Sequence, residues 1–300
     1  MMIDTKTDIT GIPSLGESEK ICRDMCSHYE NFTVGSYLFP QKMRQDLANF
    51  YAFCRYSDDL GDEGEAASET ARQSKLQKLN AWNAELFKCY DGHPEHPIFI
   101  ALRKTILKYG IPPEPLQDLI SAFIQDQTVQ RYETFDDLLE YCKLSANPVG
   151  RVYLMLFGYN DENLNKNSDK ICTALQLTNF WQDVVGDLEK GRIYIPLEDM
   201  REHNYSEDDL GAKRYNEKFR LLMEFELNRT LEMFTEGSVL ETYLPSNIAF
   251  EVSLFRRGGE AILRKIERQN YNVLKSRPVL TKFDKMKIFL SSYIKSRMWL

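Results

Sequence analysis

Four polar residues recur along one stretch, QLTNFWQDVVGD at 176–187: Gln176, Asn179, Asp183 and Asp187. If the stretch is helical, spacings of three and four place two amides and two carboxylates on one face. Leu175, Leu177, Phe180, Trp181, Val184 and Val185 occupy much of the remaining circumference, so this helix is expected to be largely buried. Buried carboxylates are costly unless cations, hydrogen bonds or metal ions compensate them. The stretch therefore reads as one half of a metal site, and the rest of the chain must supply the other half.

A second acidic cluster ends the run NFYAFCRYSDDLGDEG at 49–64. Asp58 and Asp62 are four apart and Asp59 is three before Asp62, so all three can point to one side of a helix. The bland reading of such a run is a solvated helix end. Acids at the C-terminal end of a helix oppose its dipole, however, and so need another source of stabilisation. An EF-hand fails as an explanation, because its third position would be Leu60 or Val185 and its sixth Glu63 or Leu188. A di-iron bundle also fails, because no histidine has a glutamate three positions before it. Carboxylates on facing helices suit Mg²⁺, with Mn²⁺ as a substitute, and leave positions open for a substrate phosphate.

Composition narrows the partners. The chain has 300 residues and a formal charge of −7, and no dense run of Lys and Arg could track a phosphate backbone, so nucleic acid is excluded as the main partner. The six cysteines are scattered, without a CxxC pair or zinc-ligand spacing, and read as small core residues in a reducing cytoplasm. The N-terminal stretch lacks the apolar core of a signal peptide, and no apolar run is long enough to span a bilayer. A soluble or peripheral protein is expected.

Apolar residues recur at three and four over long segments, and prolines punctuate them, which predicts an all-α fold. Helices are expected near 17–31, 41–61, 67–91, 97–109, 114–131, 135–158, 161–188, 206–235, 247–274 and 279–298. No linker or repeat divides the chain, so a flexible tail at 1–16 and one domain at 17–300 are expected.

DDLGD at 58–62, QLTNFWQDVVGD at 176–187 and KGRIYIP at 190–196 together resemble the two aspartate-rich motifs of the squalene and phytoene synthase family. The resemblance runs from about Ser18 to Ser296. Within the family, HYENF at 28–32, DEG at 62–64, NPVGR at 147–151, NFWQD at 179–183 and RRGGEAI at 256–262 are similar to the bacterial hydroxysqualene synthases of hopanoid pathways. The resemblance implies an isoprenoid synthase-type helical bundle with a central apolar channel. It puts Asp58, Asp59, Asp62, Asn179, Asp183 and Asp187 at the Mg²⁺, with Gln176 beside them at the diphosphate. Arg55 would face the phosphate, with Lys190, Arg192 and Arg277 as further cations. Tyr141, Ala146, Val149 and Gly150 would line the channel near Phe32 and Leu175.

Two departures bear on the reaction. Branches of the family that join two prenyl diphosphates commonly have Ser-Lys-Ser-Phe where this chain has Tyr29-Glu30-Asn31-Phe32, and Glu30 would repel a diphosphate that a lysine would hold. A tyrosine of other branches is also missing near Gly258-Gly259-Glu260. The expectation is an enzyme that ionises presqualene diphosphate and captures the rearranged cation with water, giving hydroxysqualene, with Asn147, Tyr141 and Tyr153 as candidates to position that water. No NADPH is required, and no GxGxxG fingerprint is present. The alternatives are condensation of two farnesyl or geranylgeranyl diphosphates and a non-catalytic helical assembly factor. The substrate partner is thus a prenyl diphosphate, with handover to other squalene-pathway enzymes. The segment KFDKMKIFLSSYIKSRMWL mixes apolar and basic residues and either packs on its own domain or makes a peripheral contact with the inner membrane face.

Overall fold

The computed structural model describes residues 12–28, 40–62 and 68–298. Phe32 and the Tyr29–Asn31 segment lie outside them, as do Glu63 and Gly64. Among the described residues there is no strand, so the fold is all-α, as the periodicity required. No helix among them is long and apolar enough to cross a membrane. The residues group into two compact units, 1–127 with 155–158 and 128–154 with 159–300.

In the first unit α1 (Leu15–His28), α2 (Arg44–Asp62), α3 (Glu69–Asp91), α4 (Pro97–Tyr109) and α5 (Glu114–Gln125) surround a core centred on α2. Local signals set their ends. The Ser68 side chain accepts from Ala71 N–H to start α3, Pro97 occupies the first turn of α4, and Gly92 and Gly110 close α3 and α4 at positive φ. Phe53, Trp82 and Phe99 pack ring against ring in the core, and Trp82 Nε1 donates to Ser57 Oγ at 2.8 Å. This anchors α2 immediately before Asp58.

The second unit contains α6 (Phe135–Ser145), most of α7 (Asn147–Leu156), α8 (Glu162–Gln182), α9 (Val184–Glu189), α10 (Leu197–Glu202), α11 (Glu207–Gly211), α12 (Glu217–Gly237), α13 (Leu240–Tyr243), α14 (Ser246–Arg268) and α15 (Lys282–Met298). Helix α8 is its centre, packed on α12 and α14. Trp181 is fully buried, and its Nε1 donates to Thr230 Oγ1 at 2.9 Å, which ties α8 to α12.

Several expected helices are divided. The run 135–158 breaks at Ala146 (φ −122°, ψ −49°), because Pro148 lacks an N–H and its ring opposes a continuous turn. The run 161–188 breaks at Asp183 (φ −114°, ψ 23°). A Cβ at residue 186 would stand 2.7 Å from Asp183 Oδ1, so Gly186 makes room for this carboxylate. The run 206–235 becomes two helices, since a Ser206–Asp209 capping box starts α11 and the Asn216 side chain starts α12. The run 247–274 stops at Arg268, where Asn270 and Tyr271 take left-handed conformations. The run 114–131 stops at Gln125, and residues 130–133 instead accept backbone hydrogen bonds from Ile193, Leu197 and Glu198.

Candidate active site

The first acidic motif is the last turn of α2. Arg55 reaches forward one turn, with Nη1 at 3.0 Å from Asp58 Oδ2 and Nη2 at 2.7 Å from Asp59 Oδ1. The arginine answers the unfavourable helix end anticipated from the sequence, since one cation offsets two acids at the negative pole of the dipole. Gln127 holds the turn from the other side, donating through Nε2 to the Gly61 carbonyl at 3.2 Å.

The second motif straddles the break after α8. Gln176 and Asn179 lie on the accessible side of α8 with Leu175 and Cys172, while Leu177, Thr178, Phe180 and Trp181 are buried. Asp183 sits at the break itself, half-exposed, and pairs through Oδ1 with Arg277 Nε at 3.0 Å. Asp187 follows in α9. The chain then reverses at Gly191 (φ 80°), where Arg192 N–H donates to the Asp187 carbonyl at 2.9 Å. Asp187 and Arg192 line a shared recess with Phe180, Val184 and Tyr194. Lys190 is exposed.

The donors of both motifs are hard oxygens, carboxylate or amide, which is the chemistry Mg²⁺ prefers. Among the described residues no three acidic, histidine or cysteine side chains converge into a ready cage.

A family model described as squalene/phytoene synthase matches residues 26–284. The chain belongs to the squalene/phytoene synthase family. Phytoene synthase from Arthrospira platensis is 31% identical over 295 residues, covering 94% of each chain. The 15-cis-phytoene synthase of Synechococcus elongatus is 30% identical over 288 residues, covering 92% of each. The crystal structure of squalene synthase HpnC from Alicyclobacillus acidocaldarius matches at 40% identity with a TM-score of 0.80, covering 86% of this chain and 96% of that one.

The remaining candidates of this squalene/phytoene synthase family member fall in different surroundings. Tyr141 is buried in an aromatic cluster, with ring centroids 5.5 Å from Tyr132, 5.9 Å from Tyr194 and 6.2 Å from Phe180. Phe180 and Tyr194 stack at 3.8 Å. Ala146 is buried at the α6–α7 break, and Val149 is exposed on α7. Gly150 has a packing duty: a Cβ there would stand 2.3 Å from Ser168 Oγ and 2.5 Å from Cys172 Sγ, so only glycine allows α7 this close to α8. Asn147 is buried and accepts from Thr173 Oγ1 at 2.9 Å.

One pair was not anticipated as such. Tyr153 on α7 donates to Glu251 Oε2 on α14 at 2.5 Å, and Glu251 is only 3% exposed. The available signal was one acid inside the apolar run AFEVSLF at 249–255. Burial pushes the Glu251 carboxyl up to about 7, against the opposing pull of the tyrosine hydrogen bond. The folded protein thus holds this proton more tightly than the unfolded chain does. The stabilisation is complete below about pH 4.5 and is lost as pH rises through about 7. Glu251→Gln, which stays neutral, is expected to remove this slope, on the order of 2 kcal/mol. Melting temperatures of both proteins measured across that window check it, and parallel curves would contradict it.

Proposed function

We propose that this synthase ionises presqualene diphosphate in a Mg²⁺-dependent step and captures the rearranged cation with water, giving hydroxysqualene. Gly259 carries the distinction from the hydride-using and condensing branches. Where those branches have a tyrosine near this position, a Cβ here would already stand 2.5 Å from Phe234 Cζ and 2.9 Å from Leu175 Cδ2. At Gly259 the space is filled and a tyrosine would require repacking, whereas a Cβ at Gly258 would meet nothing within 4 Å. Glu30 in place of a lysine supports the same reading, since it disfavours a second diphosphate. The 40% identity to a protein described as a squalene synthase supports prenyl diphosphate chemistry without favouring this branch over the condensing one.

Mg²⁺, or Mn²⁺ in its place, would neutralise the departing diphosphate as a Lewis acid. Asp58, Asp59 and Asp62 of the first motif and Asn179, Asp183 and Asp187 of the second would supply oxygen ligands, and Gln176 would hydrogen-bond the diphosphate. Arg55, Lys190, Arg192 and Arg277 offer cationic hydrogen bonds to the released phosphate oxygens. Leu175, Ala146 and Val149 give the hydrocarbon an apolar surface that keeps stray water from the cation.

The test is incubation of purified protein and Mg²⁺, without NADPH, with presqualene diphosphate or with farnesyl diphosphate. Hydroxysqualene from the first alone is the expected result. Presqualene diphosphate formed from the second would establish the competing reading, condensation of two prenyl diphosphates, which the phytoene synthase relatives favour.

A peripheral membrane contact is proposed through α15. Phe283, Met286, Leu290 and Ile294 recur at helical spacing and are all exposed, beside Lys282, Lys285 and Lys287. In a chain of net charge −7 this local basic excess fits an anionic lipid surface. The double substitution Phe283→Ser/Leu290→Ser is expected to weaken binding to phosphatidylglycerol vesicles by at least tenfold, at ~1.5 kcal/mol or more per lost apolar side chain. Cosedimentation measures it, and unchanged binding would count against the contact.

A further inference from the structure

We propose that the hydrogen-bonded Tyr153–Glu251 pair forms the far end of the prenyl-binding surface and sets the length of prenyl chain this synthase accepts. The inference rests on the reading above in one respect, that the diphosphate lies at the Asp183 end of α8.

The pair is an anomaly in its setting. Glu251 is buried, its one described hydrogen bond comes from Tyr153, and it makes no ion pair among the described residues. Its neighbours on α14, Ile248 and Val252, are core residues. A buried carboxyl so placed costs stability that an apolar residue would not, and the fold does not require it.

Independent contacts fix how far it lies from the acidic end. Asn147 meets Thr173, Arg151 pairs with Asp169, and Gly150 abuts Ser168 and Cys172, so α7 runs antiparallel to α8 and away from Asp183. Gly259 of α14 abuts Leu175, and the chain beyond α14 returns to Asp183 through Arg277 and to Gln182 through the Pro278 carbonyl. Helix α14 is therefore parallel to α8. Glu251, eight residues before Gly259, is level with about residue 167 of α8. The two helices thus converge on one level, 16 residues from Asp183, or about 24 Å at 1.5 Å per residue.

The residues leading there are apolar and partly accessible. Cys172 and Leu175 continue the Gln176–Asn179 side of α8, and Val149 is exposed one turn before Tyr153. Phe255 is exposed one turn after Glu251, and its ring meets Tyr153 edge-on at 6.4 Å. An extended prenyl chain advances ~5 Å per isoprene unit at ordinary bond lengths. With ~5 Å for the diphosphate, a farnesyl-length arm of three units needs about 20 Å, whereas a geranylgeranyl-length arm needs about 25 Å. The shorter arm ends before the pair. The longer one would press methyl groups against the tyrosine hydroxyl and the buried carboxyl it donates to, which selects against it.

The test uses binding, so that it does not depend on which product is made. Affinities for farnesyl and geranylgeranyl thiodiphosphate, both unreactive, are measured with Mg²⁺ by calorimetry for the wild type, Tyr153→Ala and Glu251→Ala. The wild type is expected to prefer the shorter analogue, and each variant to shift the ratio toward the longer one by at least about tenfold. A ratio of affinities does not depend on the fraction of protein folded, so partial destabilisation leaves the result readable. If either variant folds and keeps the wild-type ratio, the proposal is overturned, as it is if the wild type shows no preference. Failure of the hydroxysqualene reading would appear separately, as an altered product from presqualene diphosphate with the length preference intact.

Discussion

Replacing Asp183 with asparagine is expected to leave the helices folded and to lower turnover by about three decades. The residue's structural part is small. It lies at a break between helices, half-exposed, and its ion pair is to the half-exposed Arg277. Exposed pairs of this kind contribute roughly 0–1 kcal/mol, and asparagine preserves the shape over Gly186. Its proposed chemical part is large, because a neutral amide is a poor substitute for a carboxylate that holds a divalent ion. A loss of ~4 kcal/mol from the stabilisation of a departing diphosphate corresponds to about a thousandfold in rate. Circular dichroism and melting report the fold, and release of diphosphate from presqualene diphosphate reports the chemistry. Near-normal release would refute the metal assignment, whereas loss of helicity together with activity would show that the residue is structural.

Asp183 also marks where the sequence stopped being legible. The spacing of Gln176 and Asn179 was enough to place both on the accessible side of α8, because a helix obliges residues three and four apart to share a face. The break one residue after Gln182 left no such trace. Aspartate interrupts few helices by itself, and the reason for the interruption is the approach of its carboxylate to Gly186, which depends on three-dimensional placement. Prolines and capping residues worked in the other direction. Pro97 and the Gly110 that follows Tyr109 gave α4 its observed bounds of 97–109, since their effects are local.

Residue type was less informative for rings and lone charges. Tyr141 was expected at a channel wall from the resemblance, and the structure packs it among Tyr132, Phe180 and Tyr194. Nothing in the spacing of a tyrosine tells whether its ring meets substrate or other rings. Glu251 posed the converse difficulty. One acid in an apolar run reads as a solvated position until its partner, 98 residues earlier in the chain, is known. Arg55 was legible in position but not in use: one turn from Asp58 it was expected to face phosphate, and in this structure it bridges Asp58 and Asp59. The two uses are compatible in sequence, because under the proposed reading a divalent ion would take over the carboxylates and Arg55 would turn to the phosphate.

Arg229→Leu should be the most destabilising single change outside the acidic motifs. Arg229 Nη2 lies 2.5 Å from Asp199 Oδ2 and 2.5 Å from Glu226 Oε2, and its guanidinium is 3.5 Å from the centroid of the Phe135 ring. Both acids are buried, and Glu226 is wholly enclosed. Burial pushes the Glu226 carboxyl well above its usual range, with Arg229 opposing and Asp199 adding to the rise. Removing one member of a buried ionic group costs ~3–5 kcal/mol, because the remaining charges are left without compensation. At roughly 2–4 °C per kcal/mol for a chain of this size, the melting temperature should fall by about 6 to 20 °C. The deficit should be smaller at pH 5 than at pH 8, since a proton can replace the lost cation on the buried Glu226 carboxyl, whose affinity for it is raised, only when protons are available. Arg229→Lys should recover part of the loss, as it restores the charge without the planar fork that meets both carboxylates. Equal melting temperatures for Arg229→Leu and the wild type would show that the cluster contributes nothing net. The expected result would make Arg229 the tie between α12 and α10, and α10 directly follows the turn that carries Lys190 and Arg192.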